Sequence, residues 1–224
     1  MRATFGFGDA LVAMPLLTLV IGIRVATPIV ALMSVTISLA IIWGNWRDID
    51  MRAAWRLVAA AMVGVPAGVW LLNRVPEQIV IGLLALSLVG FGLYSIVKPS
   101  MPTVRNHLWV YFFGFLAGCL GGAYNTHGPP VLIYGTLQDW SPVRFRATLQ
   151  GFFFPVGLIV LASHGLGGLW SDEVFSLYAL ALLPMLAAIY AGSELSRRIS
   201  PARFHRLVHL IIIGLGALLL VQII

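Results

Sequence analysis

The stretch FGFLAGCLGGAYNTHGPP, Phe113 to Pro130, interrupts an apolar run with residues that no lipid-facing helix carries. Gly114, Gly118 and Gly122 recur every four residues, so on a helix they form one small-residue face that a neighbouring backbone can approach closely. Helical order is expected to fail from the Gly121-Gly122 pair onward. Asn125 and Thr126 favour turns, and Pro129 and Pro130 cannot donate backbone hydrogen bonds, so a second helix is expected to start at the prolines. The apolar pieces on either side, Leu108 to Leu120 and Val131 to Leu137, fall short of the roughly 20 residues that cross a bilayer. They suit the two halves of a re-entrant hairpin. Irregular backbone at membrane depth is tolerated only where protein buries it or a watery cavity wets it. The expectation is a cavity near the midplane lined by Tyr124, Asn125, Thr126 and His127, with Gly128 beside them at the start of the second helix.

Composition supports that reading. Of 224 residues, 60% are hydrophobic and only 10% charged, and the mean hydropathy is +0.96, which lies outside the soluble globular class. The net charge of +6 comes from arginines scattered through short loops instead of one basic patch, a distribution that argues against nucleic acid as a partner. Cys119 is the one cysteine, so neither an internal disulfide nor a thiolate metal cluster can form. No cofactor or metal is expected. A P-loop, an HExxH motif and a catalytic carboxylate pair are all missing from the sequence, so neither ATP-driven pumping nor hydrolysis is expected of this chain.

Taken in order, FGFGDALVAMPLLTLVIG (Phe5 to Gly22) again sets glycines ahead of a proline and a short apolar stretch. Full-length apolar runs follow at Ala26 to Trp43, Ala53 to Leu72 and Ile79 to Val97. The polar linker KPSMPTVRNH, residues 98–107, separates this first repeat (1–97) from a second (108–224), in which runs recur at Phe145 to Ser163, Val174 to Gly192 and Leu207 to Ile224. The halves align by eye: Ala26-Thr27 with Ala147-Thr148, Gly44 with Gly165, Gly68 with Gly192, Gly90 with Gly214. Pro15 falls on Pro130 and Pro76 on Pro201, an offset that grows from 115 to 125. By that alignment the first hairpin lacks its opening half, through a late start or a truncation.

Charge then orients the repeats. If the second hairpin returns to its own side, Arg47, Arg52, Arg56, Lys98, Arg105, Arg144, Arg146, Arg197, Arg198, Arg203 and Arg206 share one face, leaving Arg2, Arg24 and Arg74 opposite: eleven against three. If that segment crosses, the bias dissolves. Positive residues gather on the cytoplasmic side, so the re-entrant arrangement is preferred. Three crossings per half then invert the second repeat relative to the first, as in many secondary transporters. The expected fold is an all-α polytopic membrane protein of two inverted repeats, each with three spans and a glycine/proline hairpin, the first hairpin being incomplete.

The duplicated motif, Gly6-Phe7-Gly8-Asp9 to Pro15 and Gly118 to Pro130, with the Ala-Thr that follows each, resembles the sulfite exporter TauE/SafE family of membrane transporters. The similarity covers nearly the whole chain. It implies a multi-pass carrier of the cell inner membrane that exports sulfite or a small organosulfonate such as sulfoacetate. This chain departs from the usual run of glycines: Asp9 and Ala10 replace them in the first motif, and Tyr124 to His127 extend the second.

The polar residues fit an anion carrier. His127 stands between the chain break and two prolines, where an imidazole could give an anion-binding charge, carry a coupled proton, or simply satisfy loop carbonyls. Asn125 and Thr126 offer uncharged donors, and a helix starting at the prolines adds free N–H groups, which attract anions. Asp9 lies in the matching part of the first half. An ionised carboxylate beside an anion repels it, so Asp9 suits a proton carrier better than a ligand. Thr27, Thr148 and Gln150 open the helices after the hairpins and either face the cavity or bond back to helix carbonyls. Arg146 is a candidate for drawing anions inward. His164 is placed at an interface, and Trp43, Trp46, Trp109, Trp140 and Trp170 at span ends, as an aromatic belt. The partners expected are a small anionic solute and the lipid bilayer, with a homo-oligomer left open. A membrane-embedded scaffold without a solute, or a membrane enzyme using His127 and Asp9, are the competing functions.

Overall fold

The computed structural model describes residues 8–45, 51–97, 106, 108–138, 140, 142–196 and 201–222, without the side chains of 40–45, 51–53, 142–147, 150, 189–190, 192–196 and 201–207. Every secondary-structure element among them is helical: α1 (Asp9–Ile21), α2 (Ile23–Asn45), α3 (Met51–Arg74), α4 (Glu77–Val97), α5 (Trp109–Tyr124), α6 (Gly128–Leu137), α7 (Pro142–Leu166), α8 (Asp172–Ser196) and α9 (Pro201–Gln222). Helices keep all their backbone hydrogen bonds inside one segment, which an apolar environment demands. The six apolar runs correspond to α2, α3, α4, α7, α8 and α9, of 21 to 25 residues each. Ala54–Arg74 and Glu77–Val97 are long and apolar enough to cross a bilayer by length and composition. Leu180, Leu183 and Val63 are 74%, 76% and 67% exposed, so the outer surface is apolar, as lipid requires and water does not favour.

Glycine decides how the helices pair. On α5, Gly114 faces Leu57, Gly118 faces Ala61, and Gly122 faces Val65 of α3. A methyl group at Gly118 would lie 2.7 Å from the Ala61 Cα and carbonyl oxygen, and one at Gly122 would land on the Val65 carbonyl. From the other side, Gly64 faces Phe115 and Cys119, and Gly68 faces Cys119 and Ala123. Both backbones therefore touch directly over three turns, and the rising register on each makes α3 and α5 parallel. The small-residue face is where the sequence puts it, but Gly121 and Gly122 stay inside the helix instead of ending it. Their missing side chains serve packing, and the break comes later, at Asn125.

The ends of α3, α5 and α7 lie together, since Asn73 Nδ2 donates to Gly167 O (2.8 Å) and His164 Nε2 to Gly122 O (2.9 Å). The short α6 runs back along α5, because His127 before it lies on Gly121 while Tyr134 within it meets Phe113, ring centres 6.0 Å apart. Among the described residues two apolar clusters form. One joins α1, the first turns of α2, α4 and α9 with Leu72, Ala123 and Tyr124; the other joins α3, α5, α6 and α7 with Ala31. Each cluster mixes elements from both sequence halves. In the first, Gly92 of α4 admits Ile213 of α9, and Gly216 of α9 approaches Ala85 O of α4, so these two helices are antiparallel.

Gly122→Ala is expected to destabilise the protein by about 1–3 kcal/mol, the usual cost of overpacking. Gly214→Ala, where nothing lies within 4 Å of the added carbon, is expected to be neutral or stabilising by about 0.5–1 kcal/mol. Unfolding of both variants in detergent micelles checks the contrast.

Candidate functional site

The end of α5 sets the site. The last four carbonyls of a helix have no partner within it and need one elsewhere, most of all where water is scarce. Helix α5 stops because Asn125 turns left-handed at φ 55°, a conformation asparagine tolerates better than most residues. The turn then caps the helix from below: Asn125 N–H donates to Gly121 O (2.9 Å) and Thr126 N–H to Leu120 O (3.2 Å). Two further carbonyls are met from other helices. His164 on α7 donates through Nε2 to Gly122 O at 2.9 Å. The Thr27 hydroxyl on α2 is shared between Ile23 O (2.7 Å) and Ala123 O (3.2 Å). Asn125 completes the lock by donating its amide Nδ2 to Thr27 O at 2.7 Å.

Beyond this lock the chain passes through Thr126 and His127 into α6, whose first turn carries two prolines. Residues 121–130 are all buried. The His127 ring packs edge-on against Phe153 and Phe152, with centroids 4.7 and 6.0 Å away. Its other side touches Gly121, where a methyl carbon would lie 3.0 Å from Nδ1.

A pocket opens beside this turn, lined by Asn125, Thr126, His127 and Gly128, by Gly8 to Leu11 at the start of α1, by Ser34 on α2 and by Phe153 on α7. The two glycine-rich motifs thus meet in space although more than a hundred residues separate them. Both α1 and α6 begin at this pocket, so two helix N-termini with their partial positive charge flank it. Asp9 is half-buried at the first position of α1, after Gly8 at φ 101°. Thr126 is 3% exposed, and its hydroxyl has no hydrogen-bond partner. The space available to solvent is about 10 Å³, room for about one water molecule.

Several sequence expectations change here. Tyr124 turns away from the pocket into the apolar cluster of α1, α2 and α4, and is 1% exposed. Thr27 is fully buried and spent on helix carbonyls, and the buried Thr148 does not line the pocket. The side chains of Arg146 and Gln150 lie outside the described residues, as do those of Trp43 and Trp46. Trp140 and Trp170 are half-buried, Trp140 packing on Tyr134 and Trp170 on the exposed Phe175 with its Nε1 donating to Leu161 O (3.3 Å). His164 is fully buried within the protein, not interfacial, because it caps Gly122. Ser34, His164 and Phe153 were missed as site residues. Ser34 carries a signal, since it lies two turns after Thr27 on α2 and so shares its face. His164 carried one too, being an ionisable residue in an apolar run. Phe153 carries none.

The described polar groups around the pocket are uncharged donors, one imidazole, one carboxylate and two helix starts, a set suited to holding a small oxyanion and to moving a proton. Comparison with known proteins gives the family of the chain. A probable sulfite/organosulfonate exporter TauE of Cupriavidus necator is 28% identical over 203 residues, covering 86% of this chain and 77% of that protein. No solved structure matches the chain. The model of the transporter family described as sulfite exporter TauE/SafE matches residues 1–219, nearly the whole sequence, and the chain therefore belongs to that family.

Proposed function

We propose that this chain is a multi-pass transporter of the cell inner membrane that exports sulfite or a small organosulfonate by alternating access. The observation that carries the reading is the meeting of two helix starts and the Asn125–Gly128 turn around one pocket, in a chain of an exporter family. Helix starts at a broken backbone are a recurring way to hold an anion at membrane depth. Asn125, Thr126 and His127 supply donors, with the N–H of Gly128 at the start of α6. Asp9 carries the coupled proton, since a fixed negative charge beside the anion would oppose binding. Arg146, on the loop side of α7, gathers anions; Thr148 and Gln150 complete the route on the same helix. With room for about one water, the pocket is too small for the anion, which enters only when the surrounding helices part.

The packing supports an inverted-repeat, re-entrant topology. A parallel α3, α5 and α7 with α6 running back supports an α5–α6 hairpin whose two ends share the side where α3 begins. That is the arginine-rich side, with eleven of fourteen basic residues, and it is cytoplasmic by the positive-inside bias. Movement of one apolar cluster against the other then opens the pocket between them, and the moving bodies are assembled across the two repeats.

Efflux of sulfite from proteoliposomes tests the function; gradient-driven loss of sulfite is expected, and no flux across a panel of small sulfur oxyanions contradicts it. Thr126→Val keeps the shape but removes the hydroxyl, so the apparent affinity for sulfite should fall by about tenfold to 150-fold, from about 1.5–3 kcal/mol for a donor to a charged group, with unchanged thermal stability. For topology, a reporter fused after Ile224 is expected to report the periplasm and a label in the 98–107 linker the cytoplasm; both on one side rules out the re-entrant, inverted arrangement, and the reverse pattern rules out a cytoplasmic arginine-rich face.

A further inference from the structure

The carbonyls at the end of α5 are not all held in the same way. Leu120 O and Gly121 O are capped by the turn itself, but Gly122 O depends on a side chain 42 residues later, on another helix. A carbonyl can only accept, so His164 Nε2 carries the hydrogen and Nδ1 is left with a bare lone pair. That Nδ1 is buried and has no hydrogen-bond partner, in a residue with no exposed surface. An apolar residue would fill this space without burying an unmatched acceptor, which is costly in a dry interior. What the imidazole provides in return is a fixed point for Gly122. Its neighbour Gly121 supports the His127 ring, and three residues after Gly122 comes Asn125, whose left-handed turn opens the pocket.

We propose that His164, fully outside the pocket, is a positioning residue: its Nε2–H bond to Gly122 O sets the last turn of α5 and thereby the geometry of Asn125, Thr126 and His127. Thr27, bonded to Ala123 O, is the matching fixture from α2. The α5 end is thus tied to helices on both sides of the pocket, and a shift of α7 relative to α2 is felt first at the Asn125–His127 turn. The bond and its geometry stand on the fold alone; the effect on anion affinity rests on the proposed transport function.

The experiment compares His164→Leu, His164→Gln and His164→Asn in the full-length protein. Glutamine reaches far enough for its amide N–H to replace Nε2–H, whereas the shorter asparagine does not. The first readout needs no substrate: the rate at which maleimide modifies a cysteine placed by Thr126→Cys, with Cys119→Ser removing the native thiol. His164→Leu and His164→Asn are expected to change that rate at least fivefold, and His164→Gln to restore it within twofold. The second readout is sulfite transport with Thr126 and Cys119 intact. The apparent KM should rise at least fivefold in His164→Leu and His164→Asn while the saturated rate stays within twofold, and glutamine should restore it. A labelling rate in folded His164→Leu equal to that of the parent overturns the proposal. If His164→Leu fails to fold, equal behaviour of the glutamine and asparagine variants overturns it. Absence of sulfite transport by the parent protein defeats the transport reading, and the labelling rates still decide the role of His164.

Discussion

Backbone contact between α3 and α5 is the constraint on which the rest of the structure depends. Apolar side chains cannot distinguish a neighbouring helix from lipid tails, so helices in a membrane gain specificity from close fit. Here the fit comes from Gly114, Gly118 and Gly122 on one helix and Gly64 and Gly68 on the other, with no side chain between the two backbones. This fixes α5 in register against α3 and brings its end to the level of Gly68 on α3 and of His164 near the end of α7. A helix of 16 residues that is pinned in this way stops part-way, and its broken end becomes a place where polar chemistry is needed.

That need accounts for four of the polar residues in an otherwise apolar interior. Asn125, Thr126, Thr27 and His164 all bear on the same problem, the carbonyls left open when α5 stops. The side chains that solve it form a lock from α2, α5 and α7, and the residues just past the lock, Thr126 to Gly128, are the ones left to face the pocket. Structure and function share these residues without using each of them for both. Asn125 does both, since its amide holds Thr27 O and its residue lines the pocket. Replacing it by leucine would therefore disturb the turn as well as the pocket, and the hydroxyl of Thr126, free of hydrogen bonds, is the cleaner probe.

Much of this was legible in the sequence. The four-residue glycine spacing identified a close-packed face, the two prolines marked the start of α6, and the recurrence of the motif near Asp9 pointed to the element that shares the pocket. What could not be read was direction and partner. A small-residue face does not say which helix lies against it, so α3 could not be named in advance. Nor do Gly121 and Gly122 show whether they end a helix or let a neighbour in, because glycine serves both ends. Tyr124 was assigned to the cavity by its neighbours in sequence, but a helical position rotates about 100° from one residue to the next. That rotation carries Tyr124 into the apolar cluster while Asn125 turns the other way. His164 was legible as an unusual residue and not as a cap, since its partner is a backbone carbonyl and carbonyls leave no trace in sequence.

In the proposed transport cycle the Asn125–Gly128 turn, facing Asp9 across the pocket, holds the transported oxyanion. Selenite is a heavier congener of sulfite, and its anomalous scattering locates it directly in crystals of the purified protein. An anomalous peak is expected in the pocket between Asp9 and Gly128, within hydrogen-bonding distance of the Thr126 hydroxyl. A peak confined to any other part of the molecule while this pocket stands open would contradict it.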